Sequence, residues 1–255
     1  MTVQKFDEDA FLFDPRFDAT KPFTIRFDGH KFSALKGLDK PFDAMFTAGM
    51  VEAAKAVMVK MGADLAFVGS DEITIGVLPK PSVEPPYANR VSKITTIGAT
   101  TCSSTFSEMM KEHTNRHLHG RIAFDAKSFV FDTTEQMIEQ FEDRMASVRR
   151  NAVSMIAHKM FGHKAILNKN TRQKIEMIGH QYELYDRFDT HGTFLIRETR
   201  LVYPSEMTDV PEQFRPTEPV VRSHIVTKQM NHESLVSYTD GVLGKYQLKD
   251  THEKL

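Results

Sequence analysis

Two acidic positions in the sequence have the side chains and the spacing to hold catalytic metal ions. Asp28 follows the alternating segment Phe23–Phe27, and Asp71 with Glu72 follows a second apolar segment. A carboxylate at a strand end is costly unless it is hydrated, paired or bound to a cation. Such oxygens suit Mg²⁺, and two Mg²⁺ ions can clamp the attacking and leaving oxygens of a phosphoryl transfer. Asp-Gly and Ser-Asp are also ordinary turn sequences, so the residues alone leave a purely structural role open.

A basic group around position 90 could bind the phosphates of such a reaction. Arg90, Ser92 and Lys93 open a predicted helix after a Pro-rich loop, and the N-terminus of a helix favours anions. Arg26 alternates with Asp28 along the first predicted strand, so the two side chains share a face. A solvated helix start is the alternative interpretation of the basic group.

The order of the predicted elements explains how these distant residues could meet. The elements are a strand at 23–27, a helix whose apolar positions run from 46 to 61, strands at 65–68 and 73–78, a helix at 89–111 and a strand at 128–131. This β-α-β-β-α-β order is that of the ferredoxin-like motif, so we predict an α+β fold. Pro41 suits the first turn of the first helix. A parallel strand pair inside the motif would place Asp28 beside the Asp71 turn.

The second half of the chain is predicted to be a helical and β-rich elaboration of this core. Residues 134–161 carry apolar side chains at three- and four-residue steps, which is typical of a helix that buries one stripe. After about residue 178 the pattern is irregular and β-like, and its best strand is Thr193–Val202. We therefore divide the chain into a catalytic core at 1–135 and a basic helix with a C-terminal elaboration at 136–255, packed together as one structural unit.

Positive charge is concentrated directly after the predicted core. The whole chain has 33 Lys and Arg against 34 Asp and Glu, a net charge of −1 that by itself argues against a nucleic-acid partner. Residues 144–174, however, contain no Asp or Glu, and their basic residues are Arg144, Arg149, Arg150, Lys159, Lys164, Lys169, Arg172 and Lys174. Such a segment suits RNA phosphates, although a solvated helix face is the alternative.

Composition also limits the setting of the protein. No apolar run approaches the ~20 residues of a membrane-spanning helix, and the acidic N-terminus does not resemble a signal peptide. The single cysteine, Cys102, cannot form an intramolecular disulfide, and we interpret it as a packing residue. We therefore expect a cytoplasmic protein without a membrane partner. His113, His117 and His119 could form a zinc site, but no cysteine or clear ligand pattern accompanies them, which favours a polar loop.

Four short blocks together resemble the tRNA-histidine guanylyltransferase family and its relatives, the 3′–5′ RNA polymerases. The blocks are Arg26–Phe32 (RFDGHKF), Ser70–Glu72 (SDE), Arg90–Lys93 (RVSK) and, more loosely, Phe124–Lys127 (FDAK). They follow the family's order and spacing through residues 22–162, and a fainter similarity surrounds His191-Gly192-Thr193. One such block carries little information, whereas four in the same order are specific.

The resemblance implies a palm domain of the polymerase and cyclase type that works with two Mg²⁺ ions. Asp28 and Asp71 would be the catalytic carboxylates and metal ligands, with the Gly29 carbonyl oxygen as a third ligand. A nucleoside triphosphate would contact Asp28, Gly29, His30, Lys31, Phe32, Ser33, Ser70 and Asp71, and its phosphates would be held by Arg26, Arg90, Ser92 and Lys93.

The resemblance also implies a reaction and a substrate. In this family a nucleoside triphosphate, commonly ATP, activates the 5′-phosphate of an RNA, and the 3′-hydroxyl of an incoming nucleotide, commonly GTP, then attacks it. The partner would be tRNA, and the protein would be a homotetramer. The expected tRNA-binding residues are Arg144, Arg149, Arg150, Asn151 and Lys159.

The helix after the predicted palm departs from the family pattern. Eukaryotic members carry HINNLYN there, an element associated with tRNA recognition, whereas this chain has Arg149, Arg150 and Asn151 followed by Ala152. Asn151 retains the first asparagine. The change favours the guanylyltransferase-like branch, which repairs truncated tRNA 5′ ends by templated 3′–5′ addition, over strict tRNA-histidine guanylylation.

Two other functions share parts of this pattern. A nucleotide cyclase has a similar palm, but this sequence has no GGDEF-type turn and its basic helix favours a polynucleotide. A non-catalytic RNA-binding module can have a ferredoxin-like fold, but the aromatic strands of such modules match FTIRF and ITIGV poorly.

Overall fold

Alternating apolar residues build one six-stranded sheet in the computed structural model, which describes residues 13–35, 37–80, 83–113 and 122–252. The strands are β1 (Phe23–Gly29), β2 (Leu65–Gly69), β3 (Glu72–Val77), β4 (Phe124–Val130), β5 (Thr193–Val202) and β6 (Val220–Lys228). They lie in the order β4-β1-β3-β2-β5-β6, and each adjacent pair runs antiparallel.

The expected pairing of two parallel strands is wrong, but Asp28 still lies beside the turn that carries Asp71. The helix between β1 and β2 returns the chain so that these two strands point the same way, but β3 folds back from β2 and inserts between them. β1 is therefore antiparallel to β3, and Asp28 lies across from Glu72. The end of β1 thus still lies beside the turn that carries Asp71.

Six α-helices connect and cover the strands within the described residues. They are α1 (Ala44–Met61), α2 (Val91–His113), α3 (Thr134–Ile166), α4 (Thr171–Ile178), α5 (Arg187–His191) and α6 (His232–His252). Pro41 precedes α1 rather than lying in its first turn, because the side chain of Asp43 accepts hydrogen bonds from the amides of Met45 and Phe46 and starts the helix there. α3 contains an interruption at Gly162, whose φ of 77° is outside the helical range.

The helices pack on both faces of the sheet. α1 and α2 cover one face, where Ile25, Val57 and Phe106 belong to one buried cluster. α3 and α6 cover the other face, where Phe141 and Leu235 lie in a second cluster. The described helices include none that is long and apolar enough to span a membrane.

The C-terminal region is more regular than its sequence suggests. Thr193–Val202 is a strand as expected, but α6 was not predicted. Its buried stripe runs through Leu235, Thr239 and Val242. The hydroxyl group of Thr239 donates to the carbonyl oxygen of Leu235, so a polar residue occupies the centre of the stripe and hides the helical period.

Candidate active site

The structure brings the two predicted metal ligands together at one edge of the sheet. The amide of Gly29 donates a hydrogen bond to the carbonyl oxygen of Asp71 at 2.9 Å, which ties the end of β1 to the turn before β3. Burial raises the pKa of Asp28, and the nearby carboxylates of Asp71 and Asp125 raise it further. A bound cation would offset both the burial and the repulsion between these carboxylates.

The turn between β2 and β3 presents Asp71 in a fixed conformation. Ser70 has a φ of 56°, in the left-handed region that is unfavourable for a residue with a side chain. Its hydroxyl group donates to the Asp71 carboxylate at 3.1 Å. The conformation of Ser70 and its hydrogen bond therefore position the carboxylate of Asp71.

The turn after β1 is packed so closely that it needs Gly29. A Cβ atom at this position would lie 2.4 Å from the ring of Phe32, which is closer than any normal contact. Phe32 in turn packs against the rings of Phe46, Phe106 and Phe124. Phe32 thus fixes the turn to the core, while His30 and Lys31 are exposed beside it.

A cavity of about 350 Å³ adjoins Asp71. It is bounded by the turn after β1, the start of α1, the end of β2, the middle of α3 and the region where α5 meets β5. Its apolar wall includes Phe32, Phe46, Met50, Val148 and Met155, and its polar wall includes Ser33, Ser70, Asn151 and Asp189. A largely apolar cavity of this size with a few polar groups suits a nucleobase and its sugar.

Glu72 is neutralised by two arginines on the α3 side of the sheet. Arg144 donates two hydrogen bonds to its carboxylate, at 2.7 and 2.8 Å, and Arg26 lies 3.6 Å away. Burial raises the pKa of Glu72, while the two guanidinium groups act in the opposite direction. Arg26 also lies over the ring of Phe129. Arg144 and Arg26 thus meet at a carboxylate, a contact that the sequence did not indicate for either.

The predicted phosphate-binding group at the start of α2 has a different partner in this structure. Arg90 forms an ion pair with Asp14, and the hydroxyl group of Ser92 donates to the same carboxylate at 2.6 Å. Lys93 is exposed nearby. These three side chains are absent from the described lining of the cavity. Asp14 had no recognisable signal in the sequence, because it precedes the first strand and lies far from Arg90 along the chain.

The predicted tRNA-binding residues of α3 divide into two groups. Arg149, Arg150 and Lys159 are exposed, and Asn151 is exposed but also lines the cavity. Arg144, in contrast, is directed to Glu72. The helix therefore carries a basic outer surface directly beside the candidate site.

The zinc site that His113, His117 and His119 could form, which the sequence already disfavoured, is not tested by the structure. His117 and His119 lie outside the described residues. In the part of the chain that the structure describes, no group of three or more His, Cys, Asp or Glu side chains could hold a metal ion. The candidate metal site at Asp28 and Asp71 depends instead on two carboxylates and a backbone carbonyl group.

An antiparallel sheet that brings two carboxylates together, one of them in the lining of a nucleobase-sized cavity, has the arrangement expected of a nucleotidyltransferase. A protein-family model described as Thg1, tRNAHis guanylyltransferase, matches residues 2–132. The chain therefore belongs to the Thg1 family.

Known proteins resemble this chain in sequence and in fold. An uncharacterized protein of Acanthamoeba polyphaga mimivirus is 28% identical, and the match spans 65% of this chain and 65% of that protein. A bacterial Thg1-like protein solved with GTP has a TM-score of 0.67 and 21% identity, covering 94% of both chains. A bacterial Thg1-like protein solved with ATP has a TM-score of 0.69 and 21% identity, covering 94% of this chain and 95% of that one.

A eukaryotic structure shares the fold as well. The tRNA(His) guanylyltransferase from Saccharomyces cerevisiae has a TM-score of 0.64 and 16% identity, covering 74% of this chain and 91% of that one. At these identities the solved structures show a common fold.

Proposed function

We propose that this protein is a Mg²⁺-dependent nucleotidyltransferase that adds nucleotides to the 5′ end of tRNA in the 3′–5′ direction. The observation that carries the proposal is the meeting of Asp28 and Asp71 beside a cavity of about 350 Å³ in a chain of the Thg1 family. Phosphoryl transfer needs positioning and charge stabilisation rather than a protein nucleophile. The buried Cys102 is accordingly not required.

The residues at this edge of the sheet fit a pair of Mg²⁺ ions. Asp28 and Asp71 offer carboxylate oxygens and Gly29 offers its carbonyl oxygen, which are the ligand types that Mg²⁺ prefers. Burial and the nearby carboxylates of Asp71 and Asp125 raise the pKa of Asp28 more than Arg26 and Lys127 lower it, and a bound cation would offset these effects. Bound Mg²⁺ would neutralise the developing charge on the transferred phosphoryl group.

The nucleoside triphosphate would lie in the cavity with its phosphates toward Asp28 and Asp71. Phe32, Ser33 and Ser70 line this space, and His30 and Lys31 flank it. ATP and GTP are the proposed substrates, since the bacterial Thg1-like structures are complexes with each. Arg90, Ser92 and Lys93 remain candidates for binding the triphosphate, and for Arg90 and Ser92 this requires release of Asp14.

We further propose that β1 to β4, with α1 and α2, form a ferredoxin-like palm. The strand order β4-β1-β3-β2 and the two helices on one face support this assignment. Residues 136–255 would then be the elaboration, with the exposed basic face of α3 as the tRNA-binding surface. The altered helix motif favours repair of truncated tRNAs over strict tRNA-histidine guanylylation.

The direct test is nucleotide addition to a panel of 5′-truncated tRNAs, including tRNA-histidine, with Mg²⁺ and each labelled nucleotide supplied separately. We expect templated addition by the wild-type protein and none after chelation of Mg²⁺. Asp28→Asn and Asp71→Asn should abolish addition and leave tRNA binding intact. No addition to any tRNA by the wild-type protein would contradict the proposal, and a cyclic nucleotide formed without RNA would point to a cyclase instead.

A further inference from the structure

The segment that precedes β1 is docked on the start of α2. The amide of Val91 donates a hydrogen bond to the carbonyl oxygen of Pro15, and the amide of Phe17 donates one to the carbonyl oxygen of Asn89, each at 2.9 Å. The side chain of Phe17 is buried and belongs to the core cluster on this face of the sheet. Residues 14–17, which we call the N-terminal strap, are therefore fixed beside the predicted phosphate-binding group.

The strap places a carboxylate on that group. Asp14 pairs with Arg90 and accepts a hydrogen bond from the hydroxyl group of Ser92 at 2.6 Å, and its side chain is only 10% exposed. The bond from Ser92 is the main cause that holds the pKa of Asp14 below its ordinary value, and Arg90 and Arg16 lower it further. Asp14 is therefore ionised at neutral pH. Arg16, Arg90 and Lys93 carry more positive charge than this single carboxylate balances.

The contacts of Asp14 are the kind that a phosphate group makes. Carboxylate and phosphate oxygens both accept charge-assisted hydrogen bonds from guanidinium groups and hydrogen bonds from hydroxyl groups. A triphosphate brings more negative charge and more acceptor oxygens than one carboxylate, so it can compete for Arg90 and Ser92. Both anions cannot occupy these donors together, because they would repel each other.

The structural role of the strap is separate from the contacts of Asp14. Three consecutive residues before α2 have left-handed φ values, namely Tyr87 (55°), Ala88 (50°) and Asn89 (57°). This conformation is unfavourable for residues with a side chain. Arg16 donates to the carbonyl oxygen of Ala88 at 3.0 Å, and the amide of Phe17 holds that of Asn89. The carboxylate of Asp14 can thus leave its partners while the rest of the strap still supports this turn.

We propose that Asp14 is an intramolecular competitor, which occupies Arg90 and Ser92 until a nucleoside triphosphate displaces it. This inference rests on the proposed function, because it requires that Arg90 and Ser92 bind the triphosphate. Molecules with Asp14 in place are not competent to bind through this group, and the apparent affinity falls with the fraction that is competent. Removing the carboxylate should make every molecule competent.

Equilibrium binding of ATP with Mg²⁺ and without tRNA tests this inference. Asp14→Asn keeps the shape of the side chain and removes its charge, and Asp14→Ala removes both. Each should bind ATP about three- to tenfold tighter than the wild-type protein. Asp18→Asn is the matched control, because it removes the same charge from a nearby exposed carboxylate that accepts hydrogen bonds from Thr20 instead. It should leave the affinity unchanged.

A second background shows whether the gain arises through Arg90. In Arg90→Ala, which should itself bind ATP more weakly, adding Asp14→Asn should give little or no gain, because the competed group is missing. A full gain in that background would contradict the inference, as would an equal gain in Asp18→Asn.

The opposite role of Asp14 gives the opposite result. If its carboxylate orients Arg90 toward the phosphates, both Asp14 variants bind ATP more weakly than the wild-type protein. Weaker or unchanged binding by these variants, with clear binding by the wild-type protein, would overturn the inference and leave the proposed function intact. Absence of ATP and GTP binding to the wild-type protein and to both Asp14 variants would contradict the proposed function itself.

Discussion

The charges at the candidate site are arranged in two rows across three strands. Asp125, Asp28 and Glu72 lie in register on β4, β1 and β3, and Lys127 and Arg26 form the next row on the same face. Glu72 is satisfied by Arg144 and Arg26, whereas Asp28 has no comparable contact among the described residues. This difference singles out Asp28 as the carboxylate that needs an added cation.

The contact between Arg144 and Glu72 should be measurable in the stability of the protein. Arg144→Met leaves a mostly buried carboxylate with one weaker partner, so we expect a loss of about 2–3 kcal/mol in the free energy of unfolding. Adding Glu72→Gln should recover part of this loss, because the uncompensated charge is then removed. Urea unfolding of the single and double variants measures the effect. Purely additive losses would show that the pair does not interact as the structure indicates.

The environment of Cys102 leads to a prediction about its reactivity. The thiol is fully buried in α2, and burial raises its pKa well above the ordinary range. Because the thiolate is the reactive form, we expect no alkylation of the native protein at pH 8 and rapid alkylation in denaturing urea. Cys102 is the only cysteine of the chain, so every labelled molecule reports this position. Rapid labelling without urea would show that α2 opens in the native state.

Among the helices and strands, the sequence predicted those whose apolar residues are regularly spaced along the chain. Thr193–Val202 was predicted with its observed limits because its alternation is undisturbed, and the helix at 134–161 was found because its apolar stripe is continuous. α6 was missed because a threonine lies in its stripe. Strand direction was partly wrong, since local patterns do not show that β3 inserts between β1 and β2.

The same distinction applies to the candidate site. Asp28 and Asp71 were predicted to meet because both follow strands of one recognisable motif. The contacts of Arg144 with Glu72 and of Asp189 with Thr47 span 72 and 142 residues and leave no local pattern. Such pairs become visible only when the packing of α3 and α5 on the sheet is known.

The close approach of α3 to β2 gives a testable prediction at this scale. A Cβ atom at Gly69 would lie 2.2 Å from Cγ2 of Val148 in α3, so the helix depends on glycine there. Gly69→Ala should destabilise the protein by about 1–3 kcal/mol and narrow the cavity. Val148→Ala in the same chain should restore part of the stability because it removes the clashing methyl groups. Thermal unfolding of the single and double variants measures the effect. If Val148→Ala restores no stability, the strain in Gly69→Ala does not arise from contact with Val148.

At the scale of the whole molecule, a net charge of −1 conceals a basic surface beside the site. We predict that Arg149→Glu combined with Arg150→Glu weakens tRNA binding much more than GTP binding and lowers the dependence of tRNA binding on salt. Lys60→Glu combined with Lys111→Glu makes the same change of charge at exposed positions on α1 and α2, which cover the opposite face of the sheet, and is the control. A larger effect of the control pair would place the tRNA elsewhere on the protein.

The β5–β6 hairpin also bears on the predicted homotetramer. β5 pairs with β2 over Thr193–Ile196 but with β6 over Phe194–Val202, so the far half of the hairpin extends beyond β2. Leu201 and Val221 face each other there, 50% and 70% exposed. Exposed apolar side chains on a projecting hairpin favour contact with another copy of the chain.

Light scattering tests this prediction against the chain mass of 29.1 kDa. We expect a particle of about four chains for the wild-type protein, and a smaller particle for Leu201→Glu combined with Val221→Glu, because buried charge would disfavour the contact. Val59→Glu, at a comparably exposed apolar position on α1, should leave the mass unchanged. A monomeric wild-type protein would contradict the predicted tetramer. If the wild-type protein and the hairpin variants are all tetramers, the prediction of a tetramer holds but the contact between chains lies on another surface.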